Sequence, residues 1–268
     1  MDTARSTSIT PSELTTKLGV FPPPALVDVR TPEALGHLPE TIAAAPRRDP
    51  GAIDSWGRDM EPWRSVVVYC AHGHERSQGA ARALNALGLD AHYLAGGIDG
   101  WRAEGGATAP MLPPTRWVTR ERPKIDRIAC PWLIRRFLDP SAELFYVPNS
   151  EVRAFALAQA AEPYDVPDVA YSHAGDRCSF DAFIRIHALE DQALGDLALI
   201  VRGADTADLG LAPQAAGLVA TSLGLSRLFS DDLTMLKWGM LVYDSLYAWC
   251  RQARGETHGW DPARLRIA

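Results

Sequence analysis

Cys70 is the residue whose setting most plainly allows chemistry. It closes the apolar run Val66-Val67-Val68-Tyr69 and is followed by Ala71-His72-Gly73-His74-Glu75-Arg76-Ser77, after which a helical pattern begins at Ser77. A loop leaving a strand and entering a helix turns several backbone N–H groups inward, and the helix dipole adds partial positive charge. A thiol held there ionises more readily and becomes nucleophilic at neutral pH. Arg76 adds a formal positive charge at the rim. The same cradle suits a tetrahedral oxyanion such as thiosulfate, phosphate, arsenate or chromate. Glu75 opposes a tightly bound dianion, while His72 and His74 either offset it when protonated or simply face water. A buried cysteine ending a core strand is the plain alternative, since free cysteines are often buried. Cys, Gly and Arg-Ser in this order between strand and helix argue against it.

A second group lies further along. Between Arg116 and Arg136 stand Arg116, Arg120, Arg122, Lys124, Arg127, Arg135 and Arg136 against Glu121 and Asp126, a local charge of +5. This is either a solvated face, the commoner outcome, or an anion or nucleic-acid site. Lys124, Asp126, Arg127, Cys130 and Arg135 are its candidate residues. Cys130 precedes Pro131 near an expected helix start, yet the apolar run around Trp132 favours burial. His173, Asp181, His187, Asp191 and Asp205 offer nitrogen and oxygen donors suited to zinc, iron or manganese. Asp181 and His187 share a predicted helix, but a spacing of six does not put them on one face. Asp181 and Asp191 also fall in first helical turns, where an acid is favourable without any metal.

The elements that must position these groups fall into two styles. Leu26-Val27-Asp28-Val29 and Val66–69 read as strands buried on both faces. Ser77 to Leu87 has a helical face ended by Gly88, and Ala91-His92-Tyr93-Leu94 is a further strand. This alternation predicts an α/β sheet over 8–108. Gly and Pro crowd 109–115 as in a linker. Long helical patterns then fill 116–254: Pro131 onward, Val152–Ala161, Phe180–Leu189, Asp191–Val201, Pro213–Phe229 and Asp231–Arg254, with a short strand at Glu143–Val147. Residues 255–268 read as a tail. The expectation is an α/β domain followed by a mostly helical one.

With 268 residues, 47% apolar and 22% charged, the chain has the balance of an ordinary globular protein, and its length suits two domains. No stretch approaches the ~18–20 apolar residues of a membrane helix, and the polar start Met1-Asp2-Thr3-Ala4-Arg5-Ser6 reads as no secretory signal. A cytoplasmic protein without membrane association is expected. A net charge of −6 confines any nucleic-acid contact to a local basic patch, so nucleic acid is not an expected partner. The cysteines at 70, 130, 178 and 250 form no C-x-x-C pair, and a cytoplasmic setting disfavours disulfides.

The first domain resembles a known family. Leu26-Val27-Asp28-Val29-Arg30-Thr31-Pro32-Glu33, Gly36-His37-Leu38-Pro39, the Val67-Val68-Tyr69-Cys70 loop and Leu94-Ala95-Gly96-Gly97-Ile98-Asp99-Gly100-Trp101 resemble, in order, a single rhodanese domain. The resemblance implies an α/β rhodanese fold in which a parallel sheet is flanked by helices. It also implies a persulfide on Cys70, formed from a small-molecule sulfur donor and passed to a thiol or cyanide acceptor, with no cofactor required. Asp28 and Arg30 would be a structural pair. One departure is that the usual loop reads Cys-x4-Arg-Ser and this one Cys-x5-Arg-Ser. The longer spacing resembles that of phosphatases and arsenate reductases sharing the fold. An oxyanion reductase or phosphatase-like enzyme, with Arg76 clamping oxygens, is therefore the rival reading, and a non-enzymatic oxyanion sensor a third.

The second domain resembles the C-terminal domain of the chromate-resistance B-type proteins. The resemblance rests on Trp117-Val118-Thr119-Arg120, on Lys124-x-Asp126-Arg127-Ile128-Ala129-Cys130-Pro131-Trp132-Leu133-Ile134-Arg135-Arg136-Phe137-Leu138-Asp139-Pro140, on Ser172-His173-x-Gly175-x-x-Cys178-Ser179-Phe180-Asp181 and on Tyr243-Asp244-Ser245-Leu246-Tyr247. It implies a role in chromate or thiol-oxidant stress. It also selects His173, Asp181 and Asp205 as the expected metal trio for zinc, iron or manganese. No helix-turn-helix signature accompanies it, so DNA binding is not carried over. The aromatic-rich last helix, with Trp238 and Trp249, fits a core or a homodimer interface.

Overall fold

The computed structural model describes residues 7–256, and most of the expected tail lies outside them. The described residues form two compact units, 7–116 with 134–143 and 117–133 with 144–256.

In the first unit, the strands β1 (Ser8–Ile9), β2 (Ala25–Asp28), β4 (Val66–Tyr69) and β5 (Ala91–Leu94) form a parallel sheet in the order β1-β5-β4-β2. The helices are α1 (Pro11–Leu18), α2 (Pro32–His37), α3 (Ile53–Asp59), α4 (Glu75–Ala86) and α5 (Gly97–Ala103). Because side chains alternate along a strand, β4 supplies both cores. Val66 and Val68 pack with Val27, Ala80, Ala81 and Leu84 on one face. Val67 and Tyr69 pack with Leu14, Leu94, Ile98 and Trp101 on the other. All four residues of β4 are fully buried, which explains its unbroken apolar sequence. The Gly/Pro-rich stretch contributes β6 (Ala109–Pro110), which pairs antiparallel with β3 (Glu40–Thr41), so two of its residues are ordered in a strand.

In the second unit, β7 (Arg116–Arg120) lies between β8 (Glu143–Val147) and β9 (Glu162–Pro163). Its helices are α6 (Asp126–Leu133), α7 (Val152–Gln159), α8 (Ser179–Ile186), α9 (Gln192–Asp205), α10 (Ala215–Leu228) and α11 (Asp232–Ala248). The unit is mainly helical, as the sequence patterns predict. One expectation is corrected: Pro131 does not open a helix but stands in the sixth place of α6. Proline has no N–H for the carbonyl four residues earlier. That carbonyl, Arg127 O, instead accepts the Tyr146 hydroxyl at 3.0 Å. Trp132 then packs among Phe180, Tyr243 and Tyr247 and donates to Asp244 at 2.8 Å. Gly239 lets α11 approach α6, since a Cβ there would meet Ile128 at 2.5 Å. No helix among the described residues is long and apolar enough to cross a membrane.

Candidate functional site

The Cys70 loop is built by backbone geometry. Gly73 has φ +72°, and a Cβ would stand 2.6 Å from Leu94 O and 2.7 Å from Gly96 N. Gly97 has φ +59°, and a Cβ there would strike Cys70 O at 2.3 Å. Only glycine fits either place. With the close approach allowed, the N–H groups of Ile98 and Asp99 at the start of α5 bind Cys70 O (3.0 Å) and Ala71 O (3.1 Å). Gln78 Nε2 donates to Gly73 O at 3.0 Å and closes the loop against α4. The expected helix starts two residues earlier than Ser77, at Glu75, so Glu75, Arg76 and Ser77 form its first turn.

Cys70 is 7% exposed, with its Sγ 3.2 Å from the Ser77 hydroxyl. Burial opposes ionisation of the thiol. Hydrogen bonds from the Ser77 hydroxyl and from the N–H groups of His72, Ser77 and His74 outweigh it, and hold the thiol below its ordinary value. The loop is thus a cradle for negative charge on sulfur. His72 is exposed and paired with Asp99 at 2.9 Å, and its ring stands 5.7 Å from that of His74. Glu75 and Arg76 are exposed on the first turn of α4.

Asp28 and Arg30 lie fully buried at the end of β2. Arg30 Nε and Nη2 reach Asp28 Oδ2 at 2.8 and 2.6 Å, while Nη1 donates to Leu38 O at 2.9 Å. Nη2 also donates to Glu40 O. The pair ties the strand end to the α2–β3 connection.

The basic stretch 116–136, which runs through residues of both units, is mostly neutralised by nearby carboxylates. Arg116 faces Glu143, Arg122 faces Asp232 and Arg136 faces Glu61. Arg120 and Arg127 both face Asp165, at 2.6 and 3.2 Å. Arg135 donates to Ala142 O, and Lys124 is exposed. Most of these cations are therefore paired with carboxylates rather than left as an open anion or nucleic-acid patch. Cys130 is fully buried inside α6, and burial pushes its thiol well up, which removes it as a nucleophile.

The expected metal trio is also revised. His173 and Asp205 do come together, with Nε2 3.2 Å from Asp205 Oδ2. Asp181 does not join them. It bonds Arg202 through both oxygens, at 2.9 and 2.5 Å, and accepts the Cys178 N–H at the start of α8. His187 stacks on Phe183 and Tyr171, and Asp191 caps α9 while accepting the Tyr247 hydroxyl. The places beside His173 are taken by Asp126 (3.2 Å) and Asp165 (3.4 Å), with Cys178 close by. Asp126 was read only as part of the basic stretch, and Asp165 carries no local signal beyond a residue type that tolerates its φ of +51°. The three carboxylates raise His173 to about 9, chiefly through its hydrogen bond with Asp126. Burial, then repulsion from Asp126, raises Asp205 to about 7 and pushes Asp165 up.

A strand-to-helix cysteine loop on a parallel sheet, followed by a helical unit, defines the class of protein. The rhodanese-like domain model matches residues 10–104, and the model described as ChrB, C-terminal domain, matches residues 117–250. The chain therefore belongs to the family defined by the ChrB C-terminal domain, with a rhodanese-like domain preceding it. Protein ChrB of Cupriavidus metallidurans is 33% identical over 204 residues, covering 71% of this chain; the chain spans 58% of that relative's length. Among solved structures, a rhodanese-related protein from Thermoplasma volcanium is 28% identical, covering 38% of this chain and 96% of that one, with a TM-score of 0.34. A rhodanese-like domain protein from Staphylococcus aureus is 32% identical, covering 35% and 89%, with a TM-score of 0.32.

Proposed function

We propose that this protein is a rhodanese-type sulfurtransferase that carries a persulfide on Cys70 and acts in resistance to chromate or to related thiol stress. The observation that carries the reading is the Cys70 cradle, where one hydroxyl and three N–H groups surround a buried sulfur whose thiol is held low. With thiosulfate as donor, the Cys70 thiolate attacks the outer sulfur. A new S–S bond forms, the S–S bond of thiosulfate breaks, and sulfite leaves with the electron pair. The loop N–H groups that favour the thiolate also favour the negative charge on the persulfide. A thiolate or cyanide acceptor then attacks the terminal sulfur and returns Cys70 as thiolate. The link to chromate rests on the ChrB family of the second unit.

Intact mass before and after thiosulfate tests the reading. The parent is expected to gain one sulfur, lose it on adding cyanide, and gain none as Cys70→Ser. The six-residue interval between Cys70 and Arg76 favours a second reading, in which the loop holds a larger oxyanion and transfers no sulfur. Folded, reduced protein that binds arsenate or chromate at the loop without forming the adduct would support that reading instead.

A further inference from the structure

The geometry points to a divalent metal site in the second unit, held by His173, Asp126, Asp165 and Asp205. One imidazole nitrogen stands 3.2 Å from Asp126 Oδ2, 3.2 Å from Asp205 Oδ2 and 3.4 Å from Asp165 Oδ1. An Nε2–H can direct its hydrogen to one acceptor well, so three carboxylates at nearly equal distance are not explained by a single hydrogen bond. Two arrangements account for all three: the charge of an imidazolium, or an ion shared by the four donors, and we infer the second. Donors ~2.1 Å from one ion stand ~3.0 Å apart in an octahedron and ~3.4 Å apart in a tetrahedron, the interval in which these oxygens lie from the nitrogen.

The four donors come from separate parts of the unit: the first turn of α6, the loop after β9, the hairpin before α8 and the last residue of α9. The hairpin is set by the Ala174–Arg177 bridge and by Gly175 at φ +62°. Neighbouring groups orient the carboxylates, as metal sites require. Arg120 and Arg127 take Asp165 Oδ2 and leave Oδ1 for the centre, where Ser179 Oγ also donates at 2.9 Å. The Ser179 N–H holds Asp126 Oδ2 at 3.3 Å. Asp126 and Asp165 are 2% and 4% exposed, whereas the His173 side chain is 43% exposed and gives an ion its way in. Cys178 Sγ, whose S–H points to Asp181 Oδ2, lies within 4.8 Å of donor oxygens of Asp126 and Asp205 on the buried side. Imidazole and carboxylate donors suit manganese, iron or zinc.

The test loads chelator-treated full-length protein with Mn2+, Zn2+ or Co2+ and measures stoichiometry, affinity and melting temperature, with Co2+ absorption reporting the ligands. One ion per chain is expected, with a rise in melting temperature. His173→Ala and Asp205→Asn should each weaken binding by more than ~100-fold, beyond the ~10–100-fold of a lost orienting group. His187→Asn, outside the set, should bind as the parent does. Circular dichroism establishes that each variant is folded. No stoichiometric ion in the folded parent overturns the assignment and leaves a proton shared among these groups. Binding unchanged in both His173→Ala and Asp205→Asn overturns it as well.

Discussion

Burial raises the energy of a thiolate, yet Cys70 ionises more easily than a free cysteine because donors converge on its sulfur. Ser77 is the side chain among them, with its Oγ 3.2 Å from the sulfur. A hydrogen bond to a charged group contributes roughly 1.5–3 kcal/mol. Ser77→Ala should therefore raise the Cys70 thiol by about one pH unit or more. In a pH profile of alkylation, the rising limb should move to higher pH and the rate at pH 7 should fall about tenfold. A limb that stays in place would show that the backbone N–H groups alone hold the thiolate. At the other residue pair, Asp28→Asn leaves Arg30 buried without its counter-charge. Breaking such a pair costs about 3–5 kcal/mol, so thermal unfolding should report a drop of more than ~10 °C for the first unit.

At the scale of elements, the two loops differ in how they are made. The Cys70 loop follows from contiguous sequence: strand, glycine, first helical turn, and the Gly96-Gly97 pair that packs beneath it. Gly97→Ala forces a Cβ against Cys70 O and strains a left-handed backbone, and sulfur transfer should fall far more than secondary structure does. Parent-like transfer in Gly97→Ala would contradict this. The second unit's site is assembled from residues 39, 8 and 32 positions apart, namely Asp126, Asp165, His173 and Asp205. Sequence reasoning found His173 and Asp205 but placed Asp181 with them, because a motif shows adjacency along the chain and not which way a side chain turns. Asp181 turns to Arg202, 21 residues away. Likewise the proline in α6 reads locally as a helix start. Only Tyr146, on β8, supplies the donor that lets the helix pass through it. Tyr146→Phe should remove this hydrogen bond and lower stability by about 0.5–1.5 kcal/mol, measured by denaturant unfolding.

At the scale of the whole molecule, the chain joins a thiolate cradle in one unit to an imidazole–carboxylate cluster in the other, within a protein of net charge −6. The fold of the first unit was legible because its sheet is made of short unbroken apolar runs at regular intervals. The cations of the 116–136 stretch were legible as a group, but their neutralisation by Asp165, Glu143, Asp232 and Glu61 depends on tertiary pairing. Since Cys70 draws its donors from its own loop and from α4, His173→Ala should leave persulfide formation at the parent level while changing metal binding. Intact mass spectrometry of thiosulfate-treated parent and Cys70→Ser protein tests the central claim most directly. A single added sulfur on the parent, removed by cyanide and absent from Cys70→Ser, is the predicted result. Folded, fully reduced parent protein that gains no sulfur would contradict it.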